Sequence, residues 1–227
     1  MDSKSSSLDG SPNLFHSKIF PLPHLNVVLC GTGVLQVVLD WYVFIQSQVL
    51  ATNIHDLDNV APTVLSELLK RYENQLPEGQ GRVTIYHFGY DERAGRMRAF
   101  VYRSTSGFVS EVLPEGAIAK PGRESLLKLW AEKFAQTGDA IDAFIDVMEQ
   151  QRRMIESGEL EPVPIGGEIH ALIAMPDFQT MWRCHQFGDH ADDLLEIRKR
   201  MRSRPIDVSK AVSGYLAGRL LPDDSSS

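Results

Sequence analysis

Residues 18–50 carry the densest hydrophobic pattern in the chain. Val27, Val28 and Leu29 are strand formers, and they run through Cys30-Gly31-Thr32-Gly33 into residues 34–50, an apolar stretch too long and continuous for a strand. The pattern predicts two short β runs, a tight glycine turn and a buried helix. Gly31 and Gly33 permit positive φ and close backbone approach, so the turn can aim amides at an anion held at the helix start. A Gly-x-Gly pair also serves simply to redirect the chain.

Further along, Val64, Leu65, Leu68, Leu69 and Tyr72 follow the i, i+3, i+4 spacing of an amphipathic helix. Its start is expected near Asp58 or Asn59, which places Pro62 in the first turn, where a missing N–H is harmless. Pro77, Gly79 and Gly81 then break the chain. Residues 82–91, 97–104 and 108–116 alternate as strands of an antiparallel meander. Residues 124–158 return to helix in two pieces separated by Gly138 and Asp139. Residues 166–175 and 178–187 form a hairpin about Pro176-Asp177, and a last helical segment follows.

Composition narrows the classes. A chain of 227 residues, 43% hydrophobic and 23% charged, buries a sizeable core. A net charge of -7 argues against nucleic acid as a partner, and the basic run at residues 198–204 reads as a solvated helix face. Cys30 and Cys184 read as small hydrophobes of a reducing compartment, not a disulfide. The helix at 34–50 holds Gln36, Asp40, Gln46 and Gln48 and is shorter than the about 20 residues a membrane span needs. No membrane association is expected, no targeting signal is visible, and a cytoplasmic location follows. The expected organisation is a flexible tail over 1–16, a sandwich domain over 17–190, a helical extension over 191–222 and a polar tail over 223–227.

This order of elements suits an α+β fold, a four-layer αββα sandwich with two antiparallel sheets face to face and helices on the outer faces. Lys18-Ile19 followed by a strand, and Cys30-Gly31-Thr32-Gly33 opening a long helix, resemble the lysine, strand and glycine turn of proteasome β-type subunits and the related bacterial ATP-dependent peptidase subunit. Residues 84–90 look like that family's second-sheet strand. Ile165-Gly166-Gly167 leading into an apolar strand is similar to its late glycine motif. The resemblance covers residues 18–187.

What the resemblance implies is N-terminal nucleophile (Ntn) hydrolase chemistry: a Thr, Ser or Cys at the mature N-terminus attacks an amide carbonyl, its own amino group is the base, a lysine supplies positive charge and a glycine amide stabilises the oxyanion. Lys18 matches the lysine, and Gly31 or Gly33 the oxyanion glycine, one residue off either way. The family's nucleophile heads a hairpin well upstream of that lysine, and too few residues precede Lys18 to build it. The sandwich is therefore expected to be N-terminally incomplete. Ser11 follows Gly10 as at a processing junction but lies only seven residues before Lys18 and is followed by Pro12. Cys30 has nucleophile chemistry but sits in an apolar strand without a base, which leaves it inert.

A second constellation lies in the late hairpin. Its alternation puts Glu168 and His170 on one face, with Arg183 and His185 opposite on the partner strand. Carboxylate and imidazole pairs are the raw material of acid–base catalysis or of a metal site, although one register slip disperses them. His16, His24, His55, His87 and His190 show no ligand spacing, and neither metal nor cofactor is expected. The sequence thus points to a proteasome-like protein made inactive by loss of its nucleophile. The alternatives are an active amide or peptide hydrolase whose start is misassigned, a non-catalytic assembly or binding subunit, and a fragment left by gene truncation. A missing hairpin leaves an unpaired edge and uncovered apolar surface, so a homo-oligomer or larger proteasome-like assembly is the expected partner.

Overall fold

Five consecutive residues from Val27 are buried in β4 (Val27–Gly33), the strand on which the two halves of the molecule meet. The computed structural model describes residues 1–6, 12–48, 51–74, 76, 81–116, 122–161, 163, 165–176 and 178–203. β4 pairs antiparallel with β3 (Ile19–Leu22) on one side and β5 (Val83–Asp91) on the other. β6 (Arg96–Arg103) and β7 (Ser110–Val112) continue the meander to give a five-stranded sheet in the order β3-β4-β5-β6-β7.

The first helix, α1 (Leu35–Gln48), and α2 (Ile54–Glu73) cover one face of this sheet. Val37, Val38, Trp41 and Ile45 of α1 and Ile54, Leu57 and Leu65 of α2 pack on Val27, Leu29, Ile85 and Phe100. Residues 49 and 50, the expected end of the first helix, lie outside the described residues. The second helix starts earlier than its sequence suggests, because the Asn53 side chain accepts from the backbone N–H groups of His55 and Asp56 and caps it there. Pro62 consequently falls in the helix interior. The backbone hydrogen bond it removes is offset by the buried stripe of Ile54, Leu57, Ala61, Leu65 and Leu68.

The second layer is built from β8 (Glu168–Ala174), β9 (Gln179–Gln186) and a hairpin of β1 (Lys4–Ser6) with β2 (Pro12–Phe15). An antiparallel bridge between Asp2 and Ile169 joins the two hairpins. Ile19, Val28, Cys30, Tyr86 and Val101 fill the space between the layers with Met1, Leu172 and Ala174. On the outer side, Ile145, Met148 and Ile155 of α4 (Ala140–Glu156) pack on Ile165, Ile169 and Phe187. The remaining helices are α3 (Glu124–Thr137), which lies along α4, and α5 (His190–Ser203). The result is the expected α+β sandwich of two antiparallel layers clad in helices. Among the described residues, no helix is long and apolar enough to cross a membrane.

The N-terminal hairpin corrects the expectation of a flexible tail and of a sandwich without its first hairpin. β1 and β2 are too short to show an alternating pattern, and backbone bonds, charge and the packing of Phe15 against Gly167 and His190 hold them instead. The Lys4 N–H donates to the Gly166 carbonyl at 3.2 Å, the His16 N–H to the Ser3 carbonyl at 3.0 Å, and the Lys4 ammonium lies 2.8 Å from Asp193 of α5. The remainder of the helical extension and the polar tail, residues 204–227, lie outside the described residues.

The contact of α1 with the sheet centres on a buried polar pair. The Trp41 indole N–H donates to His87 Nε2 at 2.9 Å, and both side chains are completely buried. This bond requires a neutral ring with its proton on Nδ1. Burial pushes the His87 pKa down to about 3. The unfolded chain takes up this proton near pH 6.5 and the folded one does not, so stability is complete above pH 6.5 and declines as pH falls towards 3. His87 should add a slope approaching about 1.4 kcal/mol per pH unit across that window. Denaturant titrations between pH 7 and 4 should show this slope in the natural protein and its loss in His87→Gln.

Candidate functional site

Pairing of Ile19 with Cys30 at the start of β3 carries the preceding residue, Lys18, to the level of Gly31 on β4. The Lys18 Nζ lies 3.0 Å from each carboxylate oxygen of Asp2. Both side chains are largely buried, 16% and 13% exposed, so the pair is shielded from solvent and salt. The Gly166 N–H adds a 3.4 Å contact to Asp2 Oδ2. Asp2 is held in place by its neighbours: the Met1 amino group donates to the His170 carbonyl at 2.7 Å, the His170 N–H to the Met1 carbonyl at 2.8 Å, and Ser3 Oγ accepts from the Glu168 N–H at 2.9 Å.

The late glycine motif is what lets this strand dock. A Cβ on Gly166 would stand 2.8 Å from Lys4 Cδ, and one on Gly167, whose φ is 78°, would stand 2.6 Å from the Phe15 ring and from Ser3 Oγ. Gly31 and Gly33 have comparable packing roles. They end β4 itself, opposite Ile85 and Val83 of β5, where the sequence suggests a separate turn. A Cβ on Gly31 would lie 2.6 Å from both methyls of Val38, and one on Gly33, at φ 98°, would lie 1.9 Å from the Arg82 carbonyl oxygen. Close approach to α1 at one position, and a left-handed backbone against β5 at the other, account for both glycines.

Among the candidate nucleophiles, Cys30 faces the packed space between the layers, and burial pushes its thiol up to about 12. Cys184 is half-buried, its thiol is also raised by burial, and its S–H points to the Ile169 carbonyl at 3.4 Å. Ser11 lies outside the described residues.

The late hairpin brings together three of its four predicted polar residues. Glu168 Oε1 accepts from Arg183 Nη1 at 2.8 Å, and Glu168 Oε2 lies 3.3 Å from His170 Nε2. The Arg183 guanidinium, and after it His170, holds the Glu168 carboxyl below its ordinary range despite an opposing desolvation effect. His185 is not a member of this group. A bulge between Ile169 and His170 makes Cys184 an extra residue on β9, so His185 falls opposite Ile169, turns towards α4 and contacts Glu149 at 3.2 Å. Its place is approached by His190 from the first turn of α5, with Nε2 3.9 Å from Glu168 Oε1. Neither the bulge nor His190 has a signal in local alternation, and neither does Asp2, which pairs with Lys18 across sixteen positions. The carboxylate is already satisfied by its neighbours and ties β8, β9 and α5 together. Among the described residues, no three His, Cys, Asp or Glu side chains are grouped to hold a metal ion.

Removing one partner of a shielded ion pair strands the other charge, at a cost of about 2–4 kcal/mol. Asp2→Ala and Lys18→Met should each destabilise the protein on this scale. The double substitution should cost clearly less than their sum, as measured by chemical denaturation of all four forms.

No protein-family profile matches the sequence, and no characterised protein does so. Among solved structures, the chain is similar to Anbu (ancestral beta-subunit) from Yersinia bercovieri, with a TM-score of 0.52 and 16% identity, covering 97% of this chain and 92% of that one. Identity at this level speaks to architecture alone, and what it establishes is an α+β sandwich of the same fold as Anbu.

Proposed function

We propose that this chain is a proteasome-like subunit of Ntn-hydrolase fold without amide-hydrolase activity, in which Lys18 is kept as a structural cation. The observation that carries this reading is the placement of Asp2, both of whose oxygens lie 3.0 Å from Lys18 Nζ. The chemistry implied by the resemblance needs a hydroxyl or thiol beside that ammonium, with an amine to take its proton. The residues leading into β1 offer Met1, a thioether with no proton to give, and Asp2, a carboxylate neutralised by the lysine. Ser3 is 2% exposed, with its oxygen already accepting from the Glu168 N–H. A thiol with a pKa of about 12, as for Cys30, is thiolate in only about one molecule in 10⁵ at pH 7. Lys18, Gly31 and Gly33 are, on this reading, remnants of a catalytic arrangement that now serves packing.

An assembly role is consistent with apolar side chains left on the surface. Leu127, Phe134 and Phe144 on α3 and α4, and Met175, Phe178 and Met181 around the end of the β8–β9 hairpin, are each more than a third exposed. Such surface suits a homo-oligomer or a larger proteasome-like assembly in the cytoplasm.

Two measurements test the two halves of the proposal. Incubation with fluorogenic peptides and with an Ntn-directed β-lactone should give neither turnover nor a covalent adduct by intact mass. An adduct that disappears in Lys18→Ala would overturn the inactive reading and establish an amide hydrolase. Light scattering should show an oligomer, and a monodisperse monomer at high concentration would overturn the assembly role.

A further inference from the structure

We infer that Lys18 Nζ and the Gly166 N–H form a carboxylate-binding pocket in which Asp2 is a tethered ligand, and that a free small monocarboxylate occupies the same place once the Asp2 side chain is removed. The inference shares the Lys18–Asp2 pair with the proposed function but is independent of whether the chain hydrolyses amides.

The backbone that carries the pocket is fixed by bonds that do not involve the Asp2 side chain. Lys18 is set by the chain entering β3, where Ile19 pairs with Cys30 and where Ser17 Oγ is fixed by donating to the Ile19 carbonyl at 2.8 Å and accepting from the Ile19 N–H at 3.1 Å. Gly166 is set by its own carbonyl, which accepts from the Lys4 N–H at 3.2 Å, and by the stem of Lys4 packed where a Cβ would otherwise stand. One compact cation and one backbone donor thus converge on a site occupied by two oxygens. The Lys18 side chain is only 16% exposed. Without Asp2 its ammonium would be left shielded from water and without its counter-charge, a state that favours capture of an anion.

The observed ligand defines the class that fits. Asp2 presents a planar carboxylate with both oxygens 3.0 Å from Nζ and one of them also 3.4 Å from the Gly166 amide. Formate matches that group atom for atom, and the methyl left by Asp2→Ala leaves the space of a carboxylate open. Chloride provides one acceptor centre where the site engages two. In the natural protein the pocket is closed, because Met1 and Asp2 are pinned to β8 by the paired bonds between Met1 and His170. A carboxylate presented by another molecule must therefore displace this first strand before it can enter.

The test compares thermal unfolding in sodium formate and in sodium chloride at equal ionic strength. With formate well above its dissociation constant, Asp2→Ala should gain roughly 4 °C in Tm over chloride, a gain that grows with the logarithm of formate concentration. The natural protein, Asp2→Asn with its space filled, and Asp2→Ala/Lys18→Met with its cation removed should respond alike to the two salts. If Asp2→Ala does not fold in chloride, the yield of refolding in formate replaces Tm as the readout, and formate-dependent recovery absent from the double variant is the expected result. Equal responses of the single and double variants, or no formate effect on Asp2→Ala by either readout, would overturn the inference. A β-lactone adduct together with intact formate rescue would overturn only the inactive reading, so the two failures are distinguishable.

Discussion

The structure depends on how closely α1 can lie against β4. Gly31 faces the helix with no side chain of its own, and the methyls of Val38 occupy the place where a Cβ would stand. That approach brings Trp41 deep enough to meet His87 on the neighbouring strand. It also leaves the other face of β4, with Val28 and Cys30, free to pack against the second layer. One strand therefore serves two cores, one against helices and one against a sheet, and the glycine that the sequence suggests as a chemical element is first a condition of packing.

The elements with strong periodicity were legible in the sequence, and those held by non-local bonds were not. The buried run into β4, the stripe of α2, the meander and the hairpin of β8 and β9 each carry their own hydrophobic pattern, and all of them form. The N-terminal hairpin carries none. Its few apolar residues, Leu14 and Phe15, form no period, and its order comes from the Gly166 carbonyl, from Asp193, from the Lys18 ammonium that holds Asp2 and from Phe15 packed on Gly167, partners that no local window contains. Pro62 misled for a related reason, because a strong cap at Asn53 and a buried stripe outweigh one missing hydrogen bond.

The candidate site was legible in part and for the same reason. Lys18 and the glycines were found because their types and spacing resemble a family pattern, whereas Asp2, which pairs with Lys18, has no such pattern around it. The Ile165-Gly166-Gly167 motif was visible, but its purpose emerges only when Lys4, Phe15 and Ser3 are seen pressed against it. Glu168, His170 and Arg183 came together as alternation predicts. His185 did not, since period-two reasoning assumes an uninterrupted ladder.

The interruption itself, the extra residue Cys184 on β9, acts as a vernier between two charge systems. On the side leading to the hairpin turn the ladder assigns Arg183 to the carboxylate of Glu168, and on the other it directs His185 towards Glu149 on α4. Each base is matched to its acid by the face on which its rung partner, His170 or Ile169, lies, not by the chemistry of the intervening thiol. Register here is accordingly indifferent to Cys184: a β9 without it would still set Arg183 opposite His170 and His185 opposite Ile169, now as successive rungs of one uninterrupted ladder.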